Sequence, residues 1–142
     1  MADLTISTPG AVVPANANTT IVRGTAGATI TAGQTLYADS TSNYSLKPAA
    51  NTNASTAAVV GVALNAASTG QPVDYAAAGD VTFEASLFTT GTVYILGLAA
   101  GKISMAADID ITSNTRYATI LGVSTSATNL RLGIVASGVL NP

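Results

Sequence analysis

The residues that could do chemistry are few, and their spacing limits them. The run Asp108-Ile109-Asp110-Ile111-Thr112-Ser113-Asn114 places oxygens at positions 1, 3 and 5, as a calcium-binding loop does. Position 6 is Ser113 where such a loop needs Gly, and position 12 is Thr119 where it needs Glu. The run reads as a solvated turn with Ile109 and Ile111 facing inward. Asp80 and Glu84 stand four apart in a strand pattern, so both point to one face. General acid–base catalysis needs carboxyls opposed across a cleft, which that spacing does not supply. Tyr37, Tyr44, Tyr75, Tyr94 and Tyr117 could stack on sugars, but most lie in strand patterns and read as core or interface residues with a wet hydroxyl. Gly24-Thr25-Ala26-Gly27 and Gly97-Leu98-Ala99-Ala100-Gly101 lack the Lys and the helix of a phosphate loop and read as turns.

Composition narrows the field further. The 142-residue chain contains no Cys, His or Trp. That removes disulfides, thiolate nucleophiles, imidazole bases and the usual zinc and iron–sulfur ligands. No cofactor, metal or catalytic residue is expected, and the chain is read as a non-enzyme. Five basic residues (Arg23, Lys47, Lys102, Arg116 and Arg131) are too scattered for a nucleic-acid stripe. They are left to solvation, to intramolecular pairs or to a partner's acids. Charged residues are 8% of the chain, where about 25% is usual. A surface so poor in charge suits a protein covered by partners or by copies of itself. The apolar runs at 59–64, 93–100 and 132–140 are each too short to span a bilayer, so no membrane partner is expected. The first residues, Met1-Ala2-Asp3-Leu4-Thr5, have no secretory leader pattern.

The elements that must position these residues are β. Period-2 alternation predicts strands over 20–23, 29–31, 35–38, 44–47, 58–64, 72–76, 80–85, 92–96, 102–105, 118–124 and 129–135. The Asn- and Thr-rich stretch 49–57 is expected to be a loop. Residues 1–19, punctuated by Pro9, Gly10 and Pro14, read as an extended arm, and 20–142 as a single β domain. The arm either trails free or orders on a neighbour. In the second case Leu4, Ile6, Pro9, Val12, Val13 and Pro14 would make the contact, and deleting 1–19 should leave the domain folded. A weak internal repeat relates about 30–82 to about 88–141. It sets Gly33-Gln34-Thr35-Leu36-Tyr37 against Gly91-Thr92-Val93-Tyr94, and Val59-Val60-Gly61-Val62 against Ile120-Leu121-Gly122-Val123. Gly61 and Gly122 inside apolar strands mark bends or close approaches, which fits two related β-units in a compact barrel or sandwich.

The order Ala32-Gly33-Gln34-Thr35-Leu36, Val60-Gly61-Val62-Ala63, Gln71-Pro72-Val73, Gly79-Asp80-Val81 resembles that of tailed-phage capsid decoration, or cement, proteins of the lambda head-decoration type. In pattern the resemblance covers about 30–140. It implies a β-tulip or jelly-roll-like domain on the outer surface of a virion shell, made in the host cytoplasm. It also implies the major capsid protein and the chain itself as partners (a trimer ahead of a dimer), a stabilised shell, and an N-terminal arm that reaches the capsid. A glycan- or receptor-binding β-module of a fibre, baseplate or surface layer is the rival expectation.

Overall fold

Short alternating runs rich in β-branched and small residues, cut by Gly, Asn and Ser, cannot sustain helices but fit a pleated surface. A computed structural model of the chain describes residues 3–108 and 116–140. It is all-β, with one antiparallel sheet curled into a half-barrel. The strands are β1 (Val13–Pro14), β2 (Thr20–Thr25), β3 (Thr35–Asp39), β4 (Ser45–Pro48) and β5 (Gly61–Ala63), then β6 (Pro72–Thr82), β7 (Val93–Leu96), β8 (Ile103–Met105), β9 (Tyr117–Ser124) and β10 (Asn129–Leu140). Residues 49–57 form turns and bends, as expected. The calcium-like run falls outside the described residues from Ile109 onward.

The main path of the sheet runs β4-β3-β5-β6-β10-β9-β7-β8, so the second four strands repeat the connectivity of the first in reverse spatial order. The seam is β6 against β10, with Leu130 opposite Val81 and Arg131 opposite Asp80. The other edge of β6 carries β2 along its first half and β1 along its second. The first half of the sheet curls until Ala26, just past β2, bridges Leu46 of the far strand β4. Its core is Ala26, Ile30, Leu36, Leu46, Ala63, Ala67 and Val73. A second, larger core gathers Val62, Val81, Phe83, Phe88, Tyr94, Leu96, Ile103, Leu121 and Leu130. Phe88 packs edge-on between Phe83 and Tyr94, with ring centroids 5.0 and 4.9 Å away. That geometry suits the ring quadrupoles.

The sequence pattern and the strands differ in several places: the expected strand at 58–64 is reduced to β5, Gly61–Ala63, and the arm itself contributes β1. The expected strands at 72–76 and 80–85 are one strand, β6, because Gly79 bends the chain without ending it. Gly79 has φ +88, and a Cβ there would press on the Asn18 backbone. The expected strand at 29–31 is reduced to a bridge between Ile30 and Ala67. Gly24-Thr25, read as part of a turn, continues β2, and Gly24 is small because Leu46 Cδ1 would lie 2.6 Å from any Cβ. The last strand runs on to Leu140, with bulges after Leu132 and Ala136.

Gly70 shares the left-handed backbone of Gly79 (φ +87) but has open space around it. Gly79→Ala is therefore expected to destabilise the fold by about 2–4 kcal/mol, from backbone strain plus collision, and Gly70→Ala by about 1 kcal/mol from strain alone. Urea unfolding midpoints of the two variants measure the difference, and equal midpoints would contradict the assignment.

Candidate functional site

The six arm residues singled out in the sequence lie in one segment, 3–14, which straps the second half of the sheet from margin to margin. At one end Asp3 bridges Ser104 and the Leu4 N–H donates to the Ile103 carbonyl at 2.7 Å, on β8. At the other end Val13 and Pro14 pair with Thr82 and Val81 of β6. Between them Leu4 and Ile6 pack against the larger core, and Val12 lies inside it at 2% exposure. Pro9 opens a short 3-10 turn and is half-buried, while Val13 and Pro14 keep their side chains exposed. The packing changes the expectation for a truncation, because removing residues 3–14 takes away Leu4, Ile6 and Val12 together and uncovers the core they pack against.

Three carboxylates hold down the strap and the loop that follows it, residues 15–18. Asp3 accepts from the Leu98 and Ala99 N–H groups at 2.7 and 2.9 Å and from the Ser104 hydroxyl at 2.7 Å. Glu84 accepts from the Ser7 and Thr8 N–H groups, both at 2.8 Å. Asp80, almost fully buried, accepts from the Asn18 amide at 2.9 Å, the Asn129 amide at 3.0 Å and the Asn16 amide at 3.3 Å. The Arg131 guanidinium adds two bonds at 3.0 and 3.2 Å. Sequence reasoning considered Asp80 and Glu84 only as a catalytic pair and set them aside. Their actual partners are the Ser7 and Thr8 N–H groups of the strap for Glu84, and for Asp80 the amides of the following loop together with Asn129 and Arg131 of β10. The available signal was Asn16-Ala17-Asn18, a turn-forming pair of Asn residues whose amides the turn brings together on Asp80.

The other candidates are distributed through the fold. Arg23 pairs with Asp74 and Lys47 with Asp39, each at 2.7 Å, and with Arg131–Asp80 these are the ion pairs among the described residues. Tyr94 is buried, and its hydroxyl accepts from the Thr89 N–H at 2.8 Å. Tyr37, Tyr75 and Tyr117 are partly buried against the cores. Tyr44 differs: it is 69% exposed at the β3–β4 connection and holds a left-handed backbone, φ 58. Among the described residues no cluster of acids has the makings of a metal site.

A second surface emerges only in the fold. On the outward side of β7, β9 and β10, Val93, Ile120, Val123 and Val135 are 37–60% exposed. Gly122 and Gly133 floor a shallow groove between the apolar side chains, and Arg131 stands at its rim. Alternation alone would put Ile120 and Val123, three apart, on opposite faces; a bulge at Leu121 brings them to one side, and no local pattern foretells that the outward set is apolar on three neighbouring strands. Flatness, apolarity and lack of charge fit this face for contact with another surface rather than for turnover.

The strap clips respond to acid. Burial pushes the Asp3 carboxyl up, but the Ala99 and Leu98 N–H groups, the Ser104 hydroxyl and nearby Lys102 outweigh it and hold it below the usual carboxylate range. Arg131, then the Asn18 and Asn129 amides, hold Asp80 well below that range against its burial. A carboxyl depressed in the folded state stabilises above its unfolded pKa of about 3.9, and that contribution fades as pH falls through the folded value. Amide exchange in residues 3–18 should therefore accelerate before that of β6 and β10 when pH is lowered from about 7 to about 3, once the intrinsic pH effect is removed. Asp3→Asn should reproduce part of this at neutral pH, with roughly 10-fold faster exchange at Leu4, the loss of about 1.4 kcal/mol of charge-assisted bonding. Uniform protection across strap and sheet at both pH values would refute the clip assignment. Compared with known proteins, the chain matches no family model and no curated relative.

Proposed function

We propose that this chain is a structural virion protein, not an enzyme, that binds the outside of an assembled phage capsid as an oligomer and stabilises the shell. The observation that carries the reading is the apolar face of β7, β9 and β10, built on a rigid, charge-poor sheet. Such a face desolvates at low cost, since the ion at its rim, Arg131, is already paired with Asp80. The motif order from Ala32 to Val81, which resembles that of decoration proteins, supports the same reading. Several modest contacts made at once by an oligomer sum to tight attachment. A protein that binds only the intact shell stabilises it by about 2.7 kcal/mol when present at 100 times its dissociation constant. The partners are then the major capsid protein and the chain itself, a trimer ahead of a dimer, with neither nucleic acid nor membrane involved.

Purified protein is expected to bind expanded, undecorated heads and raise their resistance to heat. Ile120→Asp with Val123→Asp, at two exposed positions, should leave the fold intact and weaken binding by at least about 10-fold, since each buried charge costs more than 1.4 kcal/mol. Folded protein that ignores such heads would end the capsid reading.

Tyr44 favours a second reading. A bulky residue in left-handed backbone is costly, and here the strain displays a ring to solvent. That arrangement suits stacking on a sugar or receptor, as in a fibre or surface-layer module. Glycan binding that disappears in Tyr44→Ala would support it, and binding indifferent to that change would not.

A further inference from the structure

The strap meets the rest of the molecule as a peptide meets its receptor. Its bonds to itself are local turn bonds, such as Ala11 N–H to the Thr8 carbonyl and Val12 N–H to the Pro9 carbonyl. Its order comes from the body: the β8 edge, the Leu98 and Ala99 N–H groups, Glu84, Asp80 and the β6 edge. Only Val12 of the strap is fully buried. A cavity of about 120 Å³ remains beneath it, walled by Leu4, Ile6, Pro9, Leu87, Lys102 and Ile103. The strap is therefore well addressed but incompletely packed. At its junction with the sheet, the pairing of β2 with β6 loses register between Thr20 and Ile21, and residues 15–18 are exposed.

We propose that the groove between the β8 and β6 margins takes the strap of a second copy of this chain, so that copies exchange straps. The occupant follows from the address. The groove asks for a carboxylate at the Leu98–Ala99 turn, free N–H groups opposite Glu84, an apolar side chain in the Val12 pocket and two amides on Asp80. Residues 3–18 present that set in that order, and every copy carries them. An exchanged strap keeps each of these contacts, so exchange need open the chain only at Thr19–Thr20, at the expense of the Thr19 hydroxyl bond to the Asp80 carbonyl and the Thr20–Ala78 pairing. Copies held close together have the effective concentration to make the exchanged form compete. The proposal concerns the chain alone and needs no capsid, so its failure would leave the capsid reading standing.

The absence of cysteine from the chain makes the test direct. Val13 and Thr82 are opposed Cα partners in an antiparallel pair, a separation that a disulfide can bridge. Val13→Cys and Thr82→Cys are made as separate full-length variants, mixed, unfolded, refolded together at rising concentration and oxidised. The expected result is a disulfide-linked heterodimer whose yield rises with concentration to at least about five times that of Val13→Cys mixed with Thr69→Cys, a cysteine placed on a remote exposed turn. The double variant V13C/T82C in one chain should close internally when dilute, which reports that both positions are folded and in reach. Internal closure of the double variant, with no heterodimer above the Thr69→Cys mixture at the highest concentration, would overturn exchange.

Discussion

The buried carboxylate of Asp80 is the point on which the architecture turns. It sits on β6 at the seam between the two halves of the sheet, opposite Arg131 of β10. An unpaired carboxylate there would be prohibitively costly to desolvate. The chain meets that cost with the Arg131 guanidinium and three amides, drawn from β10 and from the loop that leads out of the strap. The Asp80 backbone also takes part, its carbonyl accepting from the Ala15 N–H and its N–H donating to the Asn18 side chain. One group thereby fixes three things: the register of the seam, the bend at Gly79 beside it, and the place where the strap must lie. The remaining clips, at Asp3 and Glu84, refine a path that Asp80 has already set.

Much of this was legible in the residues, and the failures have physical causes. Local alternation located most strands, because the pleat imposes its period on any segment half-buried in a sheet. It did not reveal that 72–76 and 80–85 are continuous. A glycine in left-handed backbone ends a strand in one setting and bends it in another, and the outcome depends on what lies opposite, here the Asn18 backbone. The segment 1–19 had the composition of a free arm, with Pro, Gly and short polar residues. Its docking depends on partners 62 to 101 residues away, which no local pattern contains. The apolar outer face was invisible for a similar reason. Val93, Ile120, Val123 and Val135 are unremarkable in their own strands and form a patch only once β7, β9 and β10 lie side by side.

The sparse charges gain meaning from where they sit. Asp74 with Arg23, Asp39 with Lys47 and Asp80 with Arg131 each join neighbouring strands or the two ends of a hairpin. The chain uses its ions largely as internal rivets. That leaves long stretches of outer sheet with nothing but aliphatic and hydroxyl groups. For a protein that functions alone such a surface is a hazard, because an uncharged sheet invites unspecific association. For a protein whose faces are meant to be covered it is an economy, since each interface forms without stripping water from ions.

The long reach of the strap has a consequence in time. Synthesis proceeds from the N-terminus, so Leu4, Ile6 and Val12 emerge before the groove that receives them, which is unfinished until Ser104 has been added. The bonds that anchor this segment and the loop after it reach as far as Ser104, 101 residues from Asp3. Across that interval three apolar side chains have no home in their own chain, and neighbouring nascent chains on the same messenger carry the same unsatisfied segment. The order in which the chain is made thus creates a window for pairing between copies before any one copy is closed.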